Sequence, residues 1–95
     1  MMPMNPAEFS NLLYSVDRAT FGSNKVSRIR DAARRHHFSA DQVRQLMKHI
    51  NFENDKITVA VELYHRVVDK YNWHVIYSAL TFSSSKIEVD RRLGL

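Results

Sequence analysis

The chain has 95 residues, 44% of them hydrophobic, with no cysteine, two glycines, two prolines and a formal charge of +4. This supports one domain with a single core; it excludes disulfide scaffolds, thiolate metal sites and thiol catalysis, and it undersupplies the turn residues of an all-β fold. No apolar run approaches the roughly 20 residues of a membrane span, and "MMPMNPAEF" lacks the layout of a signal peptide, so the expected localisation is intracellular and cytoplasmic, with secretion left open.

Residues 1–4 are expected as a flexible N-terminal segment and 5–95 as one helical domain. A helix N-terminus leaves backbone N–H groups unpartnered, and a polar N-cap between an apolar N′ and an apolar N4 satisfies and clamps it. Met4-Asn5-Pro6-Ala7-Glu8-Phe9 has this form, with Asn5 as cap and Pro6 at N1, where a missing N–H costs nothing. Phe9, Leu12, Leu13 and Val16 then follow helical spacing. "FGSNKV" at 21–26 opens a second helix, with Phe21 stapled to Val26 and Gly22 or Ser23 as cap.

Phe38-Ser39-Ala40-Asp41-Gln42-Val43 is a complete capping box and staple, followed by the stripe Val43, Leu46, Met47 and Ile50. "FENDKI" at 52–57 repeats the second start, with Phe52 and Ile57 as staple and Glu53 or Asn54 as cap, leading into Ile57, Val61, Tyr64 and Val68. Tyr71-Asn72-Trp73-His74-Val75-Ile76 gives a start capped by Asn72, and "FSSSKI" at 82–87 repeats the Phe-x-x-x-Lys pattern with Phe82 and Ile87. The predicted helices are 5–18, 23–36, 40–50, 54–69, 72–80 and 84–93. They group into three helix-turn-helix pairs, 5–37, 38–70 and 71–95, so the predicted fold is an all-α compact bundle of short helices with Phe21, Phe52 and Phe82 as equivalent hinges.

The segment from Phe38 onward resembles the uncharacterised helical family catalogued as domain of unknown function 4476. The resemblance rests on Phe38, Gln42, Val43, Phe52, Lys56, Tyr64, Asp69, Asn72, Val75, Phe82, Ser83 and Ser84, and reaches the first 37 residues through Phe21 and Lys25. It implies a fold and a larger parent protein; it carries over no activity, ligand or catalytic residue. The run "RIRDAARRHH" is more basic than the family leads one to expect.

Lys and Arg outnumber Asp and Glu seven to two in residues 25–50, against one to two before and six to six after. Helical geometry puts Lys25, Arg28 and Arg35 on one flank of the second helix and Arg30 and Arg34 on the other, with Arg44 and Lys48 on the next. Lys25, Arg28, Arg34, Arg35, Arg44 and Lys48 are the candidate anion-binding set, for nucleic acid or anionic lipid, against the simpler reading of a solvated surface. For Lys25, Lys56 and Lys86 the simpler reading has the ammonium on carbonyls at a helix end. Glu62 and His65 form a single Glu-x-x-His, where a di-iron bundle needs two, and Ser83, Ser84 and Ser85 read as cap residues without a nucleophile elbow. No catalytic, metal or cofactor site is expected. Trp73 is expected to pack; exposed, it would anchor a protein partner in a groove with Tyr77. The expected function is a non-enzymatic protein-interaction or scaffolding module with an unidentified partner, with anion binding as the alternative; oligomeric state is open.

Overall fold

The computed structural model describes residues 1–95 and is all-α. In chain order come α1 (Pro6–Arg18), α2 (Gly22–Ala33), α3 (Ala40–Lys48), α4 (Glu53–Leu63), a 3-10 turn (Tyr64–Arg66), a 3-10 helix (Lys70–Ala79) and α5 (Ser83–Leu93). No helix is long and apolar enough to cross a membrane. The first members of the three pairs, α1, α3 and the 3-10 helix, lie side by side in one layer, and the second members, α2, α4 and α5, in another. Overall extents of 32 × 32 × 19 Å make the thin direction two helix diameters deep. The first two pairs pack internally, α1 on α2 and α3 on α4. The last unit is divided, because the 3-10 helix is laid mainly on α3 and α5 on α4.

The first and third starts follow their local chemistry. Asn5 Oδ1 accepts from Glu8 N at 2.8 Å, and Ser39 and Gln42 exchange both capping-box hydrogen bonds at 3.0 Å. The staples Met4 with Phe9 and Phe38 with Val43 are buried. Met4 therefore belongs to the core rather than to the flexible segment expected at 1–4: its N–H donates to His37 O at 2.7 Å and its carbonyl accepts from Gln42 Nε2 at 2.8 Å.

The three Phe-x-x-x-Lys starts differ from expectation. Phe21, Phe52 and Phe82 are themselves the N-cap residues, in extended backbone conformation, and their own side chains make no cap hydrogen bond. Placed one position later than a staple requires, their rings stay outside, 66%, 66% and 60% exposed, and Ile87 is exposed as well. Two of the three lysines act on helix-end carbonyls, whereas Lys86 departs from that reading and pairs with Asp90 on its own helix at 3.1 Å. Lys25 is only 5% exposed, and its Nζ donates to Val16 O at 2.8 Å and Asp17 O at 3.2 Å, the last turn of α1. Lys56 Nζ donates to Ala79 O at 2.9 Å, the end of the 3-10 helix. Both ammoniums meet the negative end of a helix.

Two predicted helices end or wind differently. The α-helix expected over 54–69 stops at Leu63, and Val67 becomes extended: Phe38 N donates to Arg66 O and Val68 N to Phe38 O, both at 2.9 Å, forming an isolated parallel bridge. A β-branched residue suits that conformation. The segment predicted at 72–80 is a 3-10 helix starting at Lys70, so Asn72 lies inside it and Tyr71 is exposed instead of stapled. Its buried residues Trp73, Ile76 and Ala79 are three apart, which places them on one edge only when there are three residues per turn.

Removing the Lys25 ammonium while keeping its stem, as Lys25→Met, takes the charged donor from Asp17 O and leaves Val16 O with only the Ala19 N–H, and is expected to cost about 1.5–3 kcal/mol in urea unfolding. Lys56→Met, which loses one hydrogen bond at a half-buried position, should cost less. A Lys25→Met protein within about 0.5 kcal/mol of wild type, the range of ordinary surface changes, would refute this role.

Candidate functional site

The expected basic face is divided by the fold. Lys25 is consumed at the end of α1. Arg28 and Arg35 line a cleft between α1 and α2 of about 400 Å³, where Arg28 Nη1 donates to Ser15 O and Oγ at 2.7 and 3.0 Å and the acidic side chains Glu8 and Asp31 also face the space. Arg44 and Lys48 lie on α3, in the other layer; Arg44 is 2.8 Å from Asp41, and that hydrogen bond is the main cause holding the Asp41 carboxyl below its ordinary pKa. Of the six candidates, only Arg28 and Arg35 share a cleft.

Arg34 falls on the other flank of α2, where the fold brings it to a residue the sequence did not single out. A cavity of about 330 Å³ between α2 and the end of α4 is lined by Arg30, Ala33, Arg34, Glu62, Leu63 and Arg66. Arg30 holds Glu62 through two parallel hydrogen bonds of 2.7 and 2.8 Å, which raise the guanidinium pKa further above its ordinary value. Arg66 Nη2 donates to Arg34 O at 3.1 Å and its Nη1 lies 3.3 Å from His37 Nε2. Arg66 thereby covers the carbonyl end of α2, and the Phe38–Val67 bridge fixes its backbone. Arg34 is 78% exposed at its side chain, with Asp31 no nearer than 3.5 Å. Glu62 of the Glu-x-x-His pair thus serves Arg30, while His65 packs against the edge of Tyr64.

The opposite ends of α2, α4 and α5 form an edge. A Cβ on Gly22 would lie 2.6 Å from Asp55 Oδ2 and 3.6 Å from Phe52 Cδ2, so the start of α2 abuts that of α4. Glu53 Oε2 accepts from Thr81 N at 2.8 Å, Phe82 N at 3.2 Å and Ser85 Oγ at 2.6 Å, which ties the start of α5 to the other side of α4. Burial pushes the Glu53 carboxyl up, but the donors from Ser85, Thr81 and Phe82 together hold it below its ordinary pKa. Phe21, Phe52 and Phe82 consequently stand in a row. Exposed, uncharged Ser23 and Asn24, Asn51 and Asn54, and Ser83 and Ser84 surround them.

Trp73 packs as expected, and the alternative of an exposed groove with Tyr77 is not realised. Trp73 is buried on α3, edge-on to Tyr64 with ring centroids 4.9 Å apart, and its indole N–H has no partner in hydrogen-bond geometry. Tyr77 is half-buried, donates its hydroxyl to Asp90 Oδ1, and lies under the Lys86 ammonium, 4.7 Å from the ring centre. Burial, then the Asp90 carboxylate, push the Tyr77 hydroxyl up to about 12, a push the Trp73 N–H only partly offsets. The Tyr77 hydrogen bond in turn holds Asp90 below its ordinary range, with Lys86 adding to it.

A family model described as Domain of unknown function (DUF4476) matches residues 3–93, so the likeness read in the segment after Phe38 extends through α1 and α2. No curated protein and no solved structure matches the chain.

The Tyr77–Asp90 pair makes a pH prediction of definite sign. Tyr77 has a raised folded pKa, so its contribution is complete below the ordinary pKa of 10.0 and is lost as pH rises toward about 12. Asp90 has a depressed one, so its contribution is present above 3.8 and is lost as pH falls through its folded value. Urea midpoints should fall more between pH 10 and 12 for wild type than for Tyr77→Phe; equal slopes would show that the hydroxyl is not coupled to folding.

Proposed function

We propose that this chain, which belongs to the family described as Domain of unknown function (DUF4476), is a non-enzymatic protein-interaction module that receives its partner on the Phe21–Phe52–Phe82 edge. The observation that carries the reading is the gathering of three exposed phenylalanines at the starts of three adjacent helices. Single exposed apolar residues need no explanation, but three exposed aromatics at equivalent places on neighbouring helix starts favour an interaction surface.

The surroundings favour a protein over an anionic polymer or lipid surface. Interface centres are depleted of charge and enriched in aromatics, and the collar of Ser and Asn around these rings has that character. Of the three lysines four residues after these rings, Lys25 and Lys56 point inward to carbonyls, and the exposed Lys86 is paired with Asp90. The candidate anion-binding residues, by contrast, are dispersed over both layers, and those that remain accessible do not make one continuous track.

A photoreactive benzophenone amino acid at Phe52, introduced in the cell of origin, is expected to trap one partner protein. The same group at Tyr71, more exposed than Phe52 but at the start of the 3-10 helix, should not trap it. Phe21→Ser with Phe82→Ser should abolish the adduct without loss of stability, since Ser is a better N-cap residue than Phe. Adducts that are equal at positions 52 and 71, or that survive the double substitution, would overturn the assignment of this edge; adducts only with a second copy would make self-association its role instead.

A further inference from the structure

We propose that the cavity between α2 and the end of α4 is a binding site for a single phosphate group, free or attached as a monoester, held by Arg34 and Arg66 and opposed by Glu62. The site is separate from the phenylalanine edge and does not depend on that reading.

The first support is convergence. Arg30 and Arg34 reach the cavity from α2, Arg66 from the turn after α4, and they do so above the apolar floor of Ala33 and Leu63. Of the three guanidiniums, Arg30 is engaged by Glu62, Arg34 only by the 3.5 Å approach of Asp31, and Arg66 by no carboxylate, so the site keeps an excess of positive charge for an anion. The second support is preorganisation. Arg66 is already oriented by Arg34 O and His37 Nε2, and its backbone is fixed by the hydrogen bond from Phe38 N to Arg66 O, so little freedom is lost when the rest of its N–H fork takes up an oxyanion. Arg34 is close at hand and held only by a 3.5 Å approach to Asp31.

The third support is the internal carboxylate. Glu62 occupies Arg30 with the two-pronged geometry a phosphoryl group would use, so it acts as a built-in competitor. The ligand has the size of one phosphoryl group rather than of a backbone track, because Arg28 and Arg35 open into the cleft on the other flank of α2 while Arg44 and Lys48 sit on α3. Free phosphate and a phosphoryl group attached to a serine side chain share this chemistry.

The test is a titration of the ¹⁵N-labelled 95-residue chain with inorganic phosphate and, separately, with O-phosphoserine, at ionic strength held constant with sodium chloride, following the arginine Nε–H signals. Saturable shifts confined to Arg30, Arg34 and Arg66 are expected, and whichever compound saturates at lower concentration identifies free or attached phosphate as the better ligand. Arg34→Gln, which removes an exposed side chain, should weaken binding by about fivefold or more, and Glu62→Gln should tighten it about threefold or more by releasing Arg30. Arg66→Gln should abolish saturation, with circular dichroism checking that the end of α2 is intact. Shifts that are linear, or as large at Arg44 and Arg91 as in the cavity, would overturn the site. So would weaker binding in Glu62→Gln, because that is the result expected if Glu62 only maintains the structure.

Discussion

The two backbone hydrogen bonds between Phe38 and the Arg66–Val68 segment are the constraint on which the arrangement of both layers depends. They join the loop between the first and second pairs to the loop between the second and third. Phe38 itself is completely buried beneath them. From this junction, Met4 N reaches His37 O, Asp69 Oδ1 accepts from Ala40 N at 2.8 Å at the start of α3, and Arg66 covers the end of α2. Helix ends that would otherwise expose orphan N–H and carbonyl groups are thus completed by neighbours distant in sequence. A helix running on through Val67 and Val68 would forfeit that junction, which explains why α4 stops where its apolar pattern does not.

At the other end of α2 and α4 the same need is met by side chains. Lys25 and Lys56 serve the carbonyl ends of α1 and the 3-10 helix, and Glu53 serves the N–H groups at the start of α5. The parallel stacking of α2 on α4 is visible in the offsets: Arg30 meets Glu62 and Arg34 O meets Arg66, each 32 residues on, close to the 31 that separate Phe21 from Phe52. The recurrence of Phe-x-x-x-Lys is therefore the trace of a layered repeat. In the first two copies the lysine turns inward to bind helix ends and the phenylalanine is left outside.

What was legible in the sequence was what local chemistry decides. Asn5, Ser39 and Gln42 cap as their spacing requires, because each partner lies within three residues. The all-α class and the three-pair order followed from composition and recurrence. Lys25 on carbonyls at a helix end and Trp73 as a packed residue were expected too, but the surface that receives Trp73, formed by α3 and Tyr64, comes from elements packed from elsewhere and had no local signal. The 3-10 winding was hidden because its period of three, carried by Trp73, Ile76 and Ala79, is too short in extent to separate from 3.6 by eye. Arg66 carried no sequence signal at all; only the 32-residue stacking of the second layer brings it beside Arg34.

The phenylalanines pose a question that the fold alone does not answer. A Ser, Thr, Asp or Asn at an N-cap stabilises a helix by about 0.5–2 kcal/mol relative to an apolar residue, and three helices here forgo it at Phe21, Phe52 and Phe82. Glu53 makes up part of the deficit for α5, but no comparable hydrogen bond serves the starts of α2 and α4. Their rings gain little in return, since about two-thirds of each remains in water. A local rule broken three times at equivalent positions, without a compensating contact inside the molecule, is what a surface maintained for something outside it would show. The same reasoning applied to Met4 or Phe38, whose apolar groups are buried by the chain itself, yields no such residue of unexplained cost.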